Sequence, residues 1–461
     1  MFVKSVEFDN LRLFDGLRFS FERPGGGFAG WTVFVGGNAS GKSTLLKGIA
    51  LALMGPKAGA QFLGDKAGWI RQGHKRAEAV VEVMTDKTHD IFRKRGRTSA
   101  TFKAGVRWTL GGEGETPEFY SREFREPNQT RLKTAQFGLW DPNAPGWFSA
   151  GYGPMRRLSG SSSESVRYSV GGGVLSRYVT LFREDAALSE SEEWLRKMYS
   201  RTLEPDREDR QELRRLVDGV IELLNDGLLP HGMKISRVTV DHVFVTDETG
   251  IELPMGEISD GCRGMYATIL DIVHSMHDVY RSNGERSLFE HDSHGRTVVP
   301  LPGVVLIDEI EAHLHPSWQR DIPNWLRTHF PKIQFLVSTH SPLIAQAADP
   351  NGIFVLPLQD DIGRKPRPLT TAEYERVRWG SAHKTVFGVA FGLRSTRSHW
   401  ADEQIRQWQR LEAKRQSGAP LSPSEKSRHS QLKRQLELVF DEDRELDSLN
   451  RDTDAAVTQT A

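Results

Sequence analysis

Alternations and runs of apolar residues divide the chain into elements. Residues 2–9 (FVKSVEFD) alternate apolar and polar side chains, as a half-buried strand does, and 17–21 (LRFSF) supply a hairpin partner. A turn at 24–27 (PGGG) leads into an apolar, β-branched run at 31–35 (WTVFV). A strand is expected at 77–84 (AEAVVEVM), with others at 90–94 and 106–110. Residues 304–307 (VVLI) are apolar without interruption, the mark of a strand buried on both faces in a parallel sheet. Further strands are expected at 235–240, 243–246, 333–337 and 352–357.

Helical periodicity occupies other stretches. Leu188, Trp194, Leu195 and Met198 recur at helical spacing within 186–202. Leu213, Leu216, Val217, Val220, Ile221 and Leu224 form a 3.6-residue stripe within 204–226. Helices are also expected from Met265 to about Val279, at 316–328 and at 343–348. Loops are expected at 55–68, at 281–298 and in a linker at 360–372, with a turn carrying Arg156 and Arg157 at 151–157. Residues 111–147 show no readable order, and the Ser/Gly-rich stretch 159–174 is expected to be mobile. Past about residue 399 the pattern changes. Residues 400–416 and 424–449 are charged on most faces, with narrow stripes of Ile405, Trp408, Leu411 and of Leu432, Leu436, Val439. A break at 418–420 makes them a helical hairpin, whose stripes cover each other in an antiparallel pair. The expected domains are a head over 1–393, the hairpin over 394–450 and a disordered tail over 451–461. Within the head, one lobe spans about 1–140 and 299–393 and a helical lobe about 141–298.

Composition narrows the class. The 461 residues hold 61 Lys plus Arg and 61 Asp plus Glu, so net charge argues for no particular partner. The single cysteine, Cys262, excludes an internal disulfide and fits a reducing compartment. Mean hydropathy is −0.48, no apolar run approaches a membrane span, and the first residues lack the pattern of a signal peptide. A cytoplasmic, membrane-free protein is expected.

The chemistry concentrates in a few motifs. Residues 36–43 (GGNASGKS) fit G-x-x-x-x-G-K-[ST] between a strand and a helix. The glycines let successive N–H groups curl around one anion, and the helix N-terminus adds its dipole. Gly36, Asn38, Ala39, Ser40, Gly41, Lys42, Ser43 and Thr44 are therefore the candidate ATP-binding residues. Lys42 suits the β- and γ-phosphates, and Ser43 suits Mg2+. Asp308 ends the apolar strand, where doubly wound sheets place ligands, and is a candidate Mg2+ ligand. Glu309 beside it is placed to deprotonate an attacking water. His340, in 338–342 (STHSP) at the end of the next strand, is a candidate γ-phosphate sensor. Gln72 is a candidate contact to Mg2+ and the water. His291, Asp292 and His294 match no metal-ligand spacing and read as a solvated loop.

The order GGNASGKS, IRQG, ISDGCRG, VVLIDEIEAHLHP and STHSP resembles the ABC-type ATPase heads of the RecF, SMC and OLD group. Over about 1–393 the resemblance implies an α/β fold. It comprises a P-loop head with a mixed central sheet, an antiparallel β subdomain and a helical signature lobe, followed here by the C-terminal helical hairpin. It implies that Ser259 and Gly261 of ISDGCRG meet the nucleotide of a second subunit, in a homodimer or higher homo-oligomer that hydrolyses ATP with Mg2+. LIDEIEAHLHPSWQ and THSPLIAQ are similar to bacterial defence ATPases of the Septu (PtuA) and retron-associated kind. That implies antiphage defence with a separate HNH-type nuclease partner, and DNA or RNA as further partners. The chain lacks a heptad tract for an SMC arm and the acidic nuclease domain of OLD proteins. Two alternatives stay open: a RecF-like DNA repair or chromosome-maintenance ATPase, and a transporter's nucleotide-binding subunit. The second lacks the expected glutamine after the signature. The hairpin is expected to mediate higher assembly or to recruit the nuclease.

Overall fold

The computed structural model describes residues 1–63, 68–93, 100–112, 114–123, 134–158, 160, 173–281, 287–357, 365–386, 388, 390–391 and 397–436. The chain forms two compact units, Met1–Phe391 and Gly392–Ala461.

In the first unit, β1 (Phe2–Asp9) and β2 (Leu17–Ser20) form a hairpin. Strand β3 (Gly30–Val35) runs into the phosphate loop and the helix Lys42–Leu63. Strands β4 (Arg76–Met84), β5 (Thr101–Gly111) and β6 (Gly114–Glu123) complete an antiparallel sheet of order β2-β1-β4-β5-β6. After β7 (Ser149–Tyr152) come the helices Ser189–Thr202, Arg210–Asn225 and Asp260–Arg281. With them is a small sheet of β8 (Lys234–Val238), β9 (Val243–Thr246) and β10 (Glu252–Pro254). A short hairpin, β11 (Glu290–His291) with β12 (Thr297–Val298), precedes β13 (Gly303–Ile307). Strands β14 (Ile333–Thr339), β15 (Ile353–Val355) and β16 (Arg367–Pro368) complete the central sheet, of order β16-β15-β3-β14-β13-β7. It is mixed: β15, β3, β14, β13 and β7 pair in parallel, and β16 antiparallel. The expected α/β architecture of an ABC-type head, with mixed central sheet, antiparallel subdomain and helical lobe, is present.

The central sheet separates two cores. Trp31, Val33, Val35, Val305, Ile307, Phe335 and Val337 point toward the helices of 189–281. Phe34, Val304, Leu306 and Leu336 point toward the antiparallel sheet and the phosphate-loop helix. Burial on both faces is why these strands read as apolar runs rather than alternations. No helix among the described residues is long and apolar enough to cross a membrane.

Several boundaries differ from the sequence reading. The loop expected from 55 is helix to Leu63, kinked where Gly55 takes φ 74° and ψ −172°. A side chain at Gly55 would collide with Trp140, and Pro56 sits where a new helical segment begins and lacks no needed N–H. No strand forms at 90–93. There the Ile91 and Arg93 amides donate to Pro145 and Phe137 carbonyls, and the Asp90 carboxylate accepts from the Asp86 and Trp147 amides. Residues 149–152, expected within a turn and the helical lobe, are instead the edge strand of the central sheet beside β13. The expected helix from Met265 begins at Asp260, so the ISDGCRG motif is itself the helix N-terminus. The expected loop 281–298 contains the β11–β12 hairpin, and β6 lies in the stretch from 111 that showed no order. Most of 159–174, residues 437–449 and the tail 451–461 lie outside the described residues.

In the second unit the helix His399–Gln416 pairs antiparallel with a helix over 423–436. Leu411 and Leu432 are buried, the Trp408 and His429 rings lie 6.3 Å apart, and Lys414 bonds Glu425 at 2.8 Å. Val439 lies outside the described residues.

One buried side chain ties the two sheets of the first unit together. The β1 register shifts between Val3 and Ser5, and β2 pairs only from Ser5 onward. The fully buried Gln334 of β14 accepts from the Val3 amide at 2.7 Å and donates to the Val3 carbonyl at 2.8 Å. Gln334→Leu keeps the volume but orphans both backbone groups. At about 1–3 kcal/mol each, the expected loss of stability is about 2–6 kcal/mol. A urea-unfolding midpoint equal to the parent's would show that the amide bridge contributes nothing.

Candidate functional site

Strand register decides what meets. Val35 pairs with Thr339, and Ile307 with Val337. The residues just past these pairs are the phosphate loop after β3, His340 after β14, and Asp308 with Glu309 after β13. All leave the C-terminal edge of three adjacent parallel strands.

The phosphate loop is built by close packing. A side chain at Gly36 would overlap the Leu356 carbonyl and Ser40 Oγ. Gly41 takes φ 92°, and a Cβ there would press on Phe14 and Leu13. Ala39 also has positive φ, at 63°. The buried Lys42 ammonium donates to the Gly36 and Gly37 carbonyls at 3.0 and 2.9 Å, closing the loop on itself. Burial pushes its pKa below the usual lysine value, while Asp308, Glu309 and Glu311 pull it back. Ser40 is buried, and its hydroxyl has no hydrogen-bond partner among the described residues. Asn38 and Ala39 are exposed. Thr44 accepts from Arg12 Nη1 at 3.3 Å, and Arg12 lies 4.2 Å above the Trp69 ring. An orphaned hydroxyl and a lysine folded onto its own loop fit a polyanion that would draw both outward.

The acidic turn is equally specified. The buried Asp308 donates its amide to the Tyr152 carbonyl at 2.8 Å, and its carboxylate accepts from Ser338 Oγ. Ser338 Oγ also accepts the Glu309 amide at 2.8 Å. Glu309 takes φ 46°, in the left-handed region. The buried Arg156 donates to the carbonyls of Gly153 (2.8 Å), Asp308 (2.9 Å), Glu309 (3.1 Å) and Ile310 (3.1 Å). Burial brings its pKa down to about 10 against the pull of Glu311, Asp308 and Glu309, so it stays charged at neutral pH. Glu311 accepts from Thr339 Oγ1 at 2.6 Å and from the His340 amide.

The structure thus brings Gly36–Thr44, Asp308, Glu309 and His340 to one edge. Ser43 and Asp308 offer a hydroxyl and a carboxylate oxygen, hard ligands that suit Mg2+ beside phosphate. No group of three or more His, Cys, Asp or Glu among the described residues could hold a metal by itself, the 291–294 loop included. Gln72 is exposed in a turn, two residues after Ile70 bridges Leu11, and no hydrogen bond among the described residues joins it to the other candidates. Ser259 is exposed at the start of the helix Asp260–Arg281. Gly261 lies against the His313 carbonyl, where any Cβ would collide, rather than on the phosphate loop. Sequence reading missed Arg12, Ser338, Glu311 and the role of Arg156. A signal existed only for Glu311, which follows the acid pair by two residues.

The chain is similar to several known proteins. The model of the family described as "AAA domain, putative AbiEii toxin, Type IV TA system" matches residues 31–345. A Septu protein PtuA of Bacillus mycoides (strain KBAB4) is 25% identical over 346 residues, 74% of this chain and 38% of that protein. A protein of Escherichia coli named "Retron Ec83 probable ATPase" is 35% identical over 126 residues, 27% of this chain and 20% of it. The chain therefore spans well under half the length of these relatives. A solved SMC head bound to the C-winged helix domain of ScpA aligns over 82% of this chain and all of its own, at 12% identity and a TM-score of 0.46.

Lys42→Ala removes the buried cation at the loop. The expected result is an ATP affinity lower by about 100-fold or more, given the strength of charge-assisted bonds to phosphate. Titration with a fluorescent ATP analogue measures it, and parental affinity would remove the loop from the site.

Proposed function

This chain belongs to the AAA-domain family matched over residues 31–345, and from that premise we propose that it binds and hydrolyses ATP. The observation supporting the reading is that the phosphate loop with Lys42 after β3, His340 after β14, and Asp308 with Glu309 after β13 leave the same edge of three neighbouring parallel strands. In this reading Lys42 exchanges the Gly36 and Gly37 carbonyls for β- and γ-phosphate oxygens, and the loop amides take the remaining charge. Ser43 and Asp308 would hold Mg2+, with Gln72 a further candidate contact, and the ion would neutralise charge on those oxygens. Glu309 accepts the proton of the attacking water. The His340 side chain donates to the γ-phosphate, with Glu311 fixing its backbone.

The site is completed by a second subunit. The exposed Ser259 and the helix start at Asp260 point to an acceptor outside the chain's own phosphate loop. An isologous dimer, each head offering its helix start to the other's nucleotide, satisfies both halves. The similarity to proteins named for Septu and retron systems supports a role as the ATPase of an antiphage defence system. A separate HNH-type nuclease is its proposed effector, and the C-terminal hairpin its proposed docking element.

Two experiments test this. Glu309→Gln keeps the shape of the acid and removes the base, so ATP is expected to bind and stay while turnover falls by about 100-fold or more. Normal turnover would remove Glu309 from its role. Ser259→Arg is expected to spare ATP binding by the monomer and to block dimerisation. Mixing it with Lys42→Ala should restore partial activity, because one composite site in the mixed dimer has both an intact lysine and an intact serine. A mixture with no activity at all would count against shared sites.

A further inference from the structure

We infer that Arg156 is the positioning residue for Glu309: its guanidinium, bonded to three successive carbonyls, holds the acid in the backbone conformation from which it serves the water. The inference rests on the reading of Glu309 as general base.

Three consecutive carbonyls, of Asp308, Glu309 and Ile310, converge on one guanidinium. Successive carbonyls of a strand or helix do not converge on one point; they do so here as the backbone reverses at Glu309, which takes φ 46°. A non-glycine residue holds that conformation only where its surroundings over-determine it. Three contacts surround it: Ser338 Oγ accepts the Glu309 amide on one side, Arg156 binds the carbonyls on the other, and the Glu309 carbonyl also accepts the Ala312 amide at 2.9 Å.

The arm carrying Arg156 is itself rigid. Nη1 also donates to Gly153, three residues earlier. Gly153 sits where a Cβ would collide with the Thr180 carbonyl, and the Arg157 carbonyl accepts the Leu188 amide at 2.7 Å. Only a planar fork supplies the spread of donors, from Nη1 to Gly153 and Asp308 and from Nη2 to Glu309 and Ile310. A lysine ammonium carries the charge but presents its donors from one atom. Arg156 is buried behind the turn, bonded to its carbonyls, so its effect on turnover passes through Glu309.

The test compares Arg156→Lys and Arg156→Ala with the parent, alone and combined with Glu309→Gln. Arg156→Lys is expected to keep ATP affinity within about threefold while turnover falls by about 100-fold, the loss a misplaced catalytic group produces. Guanidinium ion added to Arg156→Ala is expected to restore part of the turnover. In the Glu309→Gln background, Arg156→Lys is expected to cost less than about threefold further, since residues acting as a unit are not additive. Turnover of Arg156→Lys within threefold of the parent would overturn the inference, as would an undiminished loss in the Glu309→Gln background. Loss of the folded state in Arg156→Lys, read by thermal melting, would overturn it too by making the residue structural. A parent chain that binds ATP and never turns it over would overturn the hydrolysis reading and this inference together. A parent that turns over, with an insensitive Arg156→Lys, would overturn this inference alone.

Discussion

Strands β3, β14 and β13 are buried on both faces, and that constraint organises the head. A polar side chain on such a strand is costly unless something bonds to it, by roughly 1–3 kcal/mol in proteins. The strands accordingly carry apolar residues through most of their length, and their polar groups either lie at the ends or have assigned partners. Gln334 is the clearest internal exception, and it is bonded on both atoms of its amide to Val3. Polar chemistry is displaced to the C-terminal edge, where Ser338 bonds both Asp308 and the Glu309 amide, and Thr339 donates to Glu311. The candidate site lies there because the sheet cannot hold it elsewhere.

That edge gathers two buried cations and three carboxylates. Lys42 and Arg156 are desolvated, and each is pulled back toward its charged form by Asp308, Glu309 and Glu311. Isolated burial of either charge would cost several kcal/mol, so the five groups stand together as a compensated set. The left-handed Glu309 costs about 1–2 kcal/mol. Hydrogen bonds to a charged donor are worth roughly 1.5–3 kcal/mol each, so the three that Arg156 makes to the turn outweigh it. The strain is thus held by a side chain 153 residues away together with the local turn in which the Glu309 carbonyl accepts the Ala312 amide.

That separation explains what could be read from the sequence and what could not. The phosphate loop declares itself because its glycines, lysine and serine act within eight residues, between a strand and a helix whose patterns are independent signals. The acid pair declares itself by following an unbroken apolar run. Arg156 carries no such local mark: it reads as one of two arginines in a turn, and its meaning comes from carbonyls far along the chain. Ser338 reads as part of a strand end, yet it bonds both Asp308 and Glu309. The helix past Gly55 was hidden by the same kind of dependence. Gly-Pro is locally a breaker, and Trp140, distant in sequence, packs against Gly55 at the kink and donates its indole N–H to the Ala52 carbonyl. The absent strand at 90–93 is the converse, since the apolar pattern was adequate but its backbone partners lie in 137–147.

Close backbone approach links the two halves of the head. Gly261 and Gly264, one turn apart on the helix Asp260–Arg281, face the carbonyls of His313 and Arg156 at distances that leave no room for a Cβ. His313 follows Glu309 by four residues and itself takes positive φ, at 65°. The helix that begins at the ISDGCRG motif therefore rests directly on the backbone of both segments that shape the acid turn, with no flexible side chain between them to absorb a shift. A close-packed contact of this kind transmits displacement instead of damping it. Anything that moves the start of that helix must press on the arm of Arg156 and on the turn of Glu309 together. Glycine at 261 and 264 is then a requirement of that coupling as much as of packing.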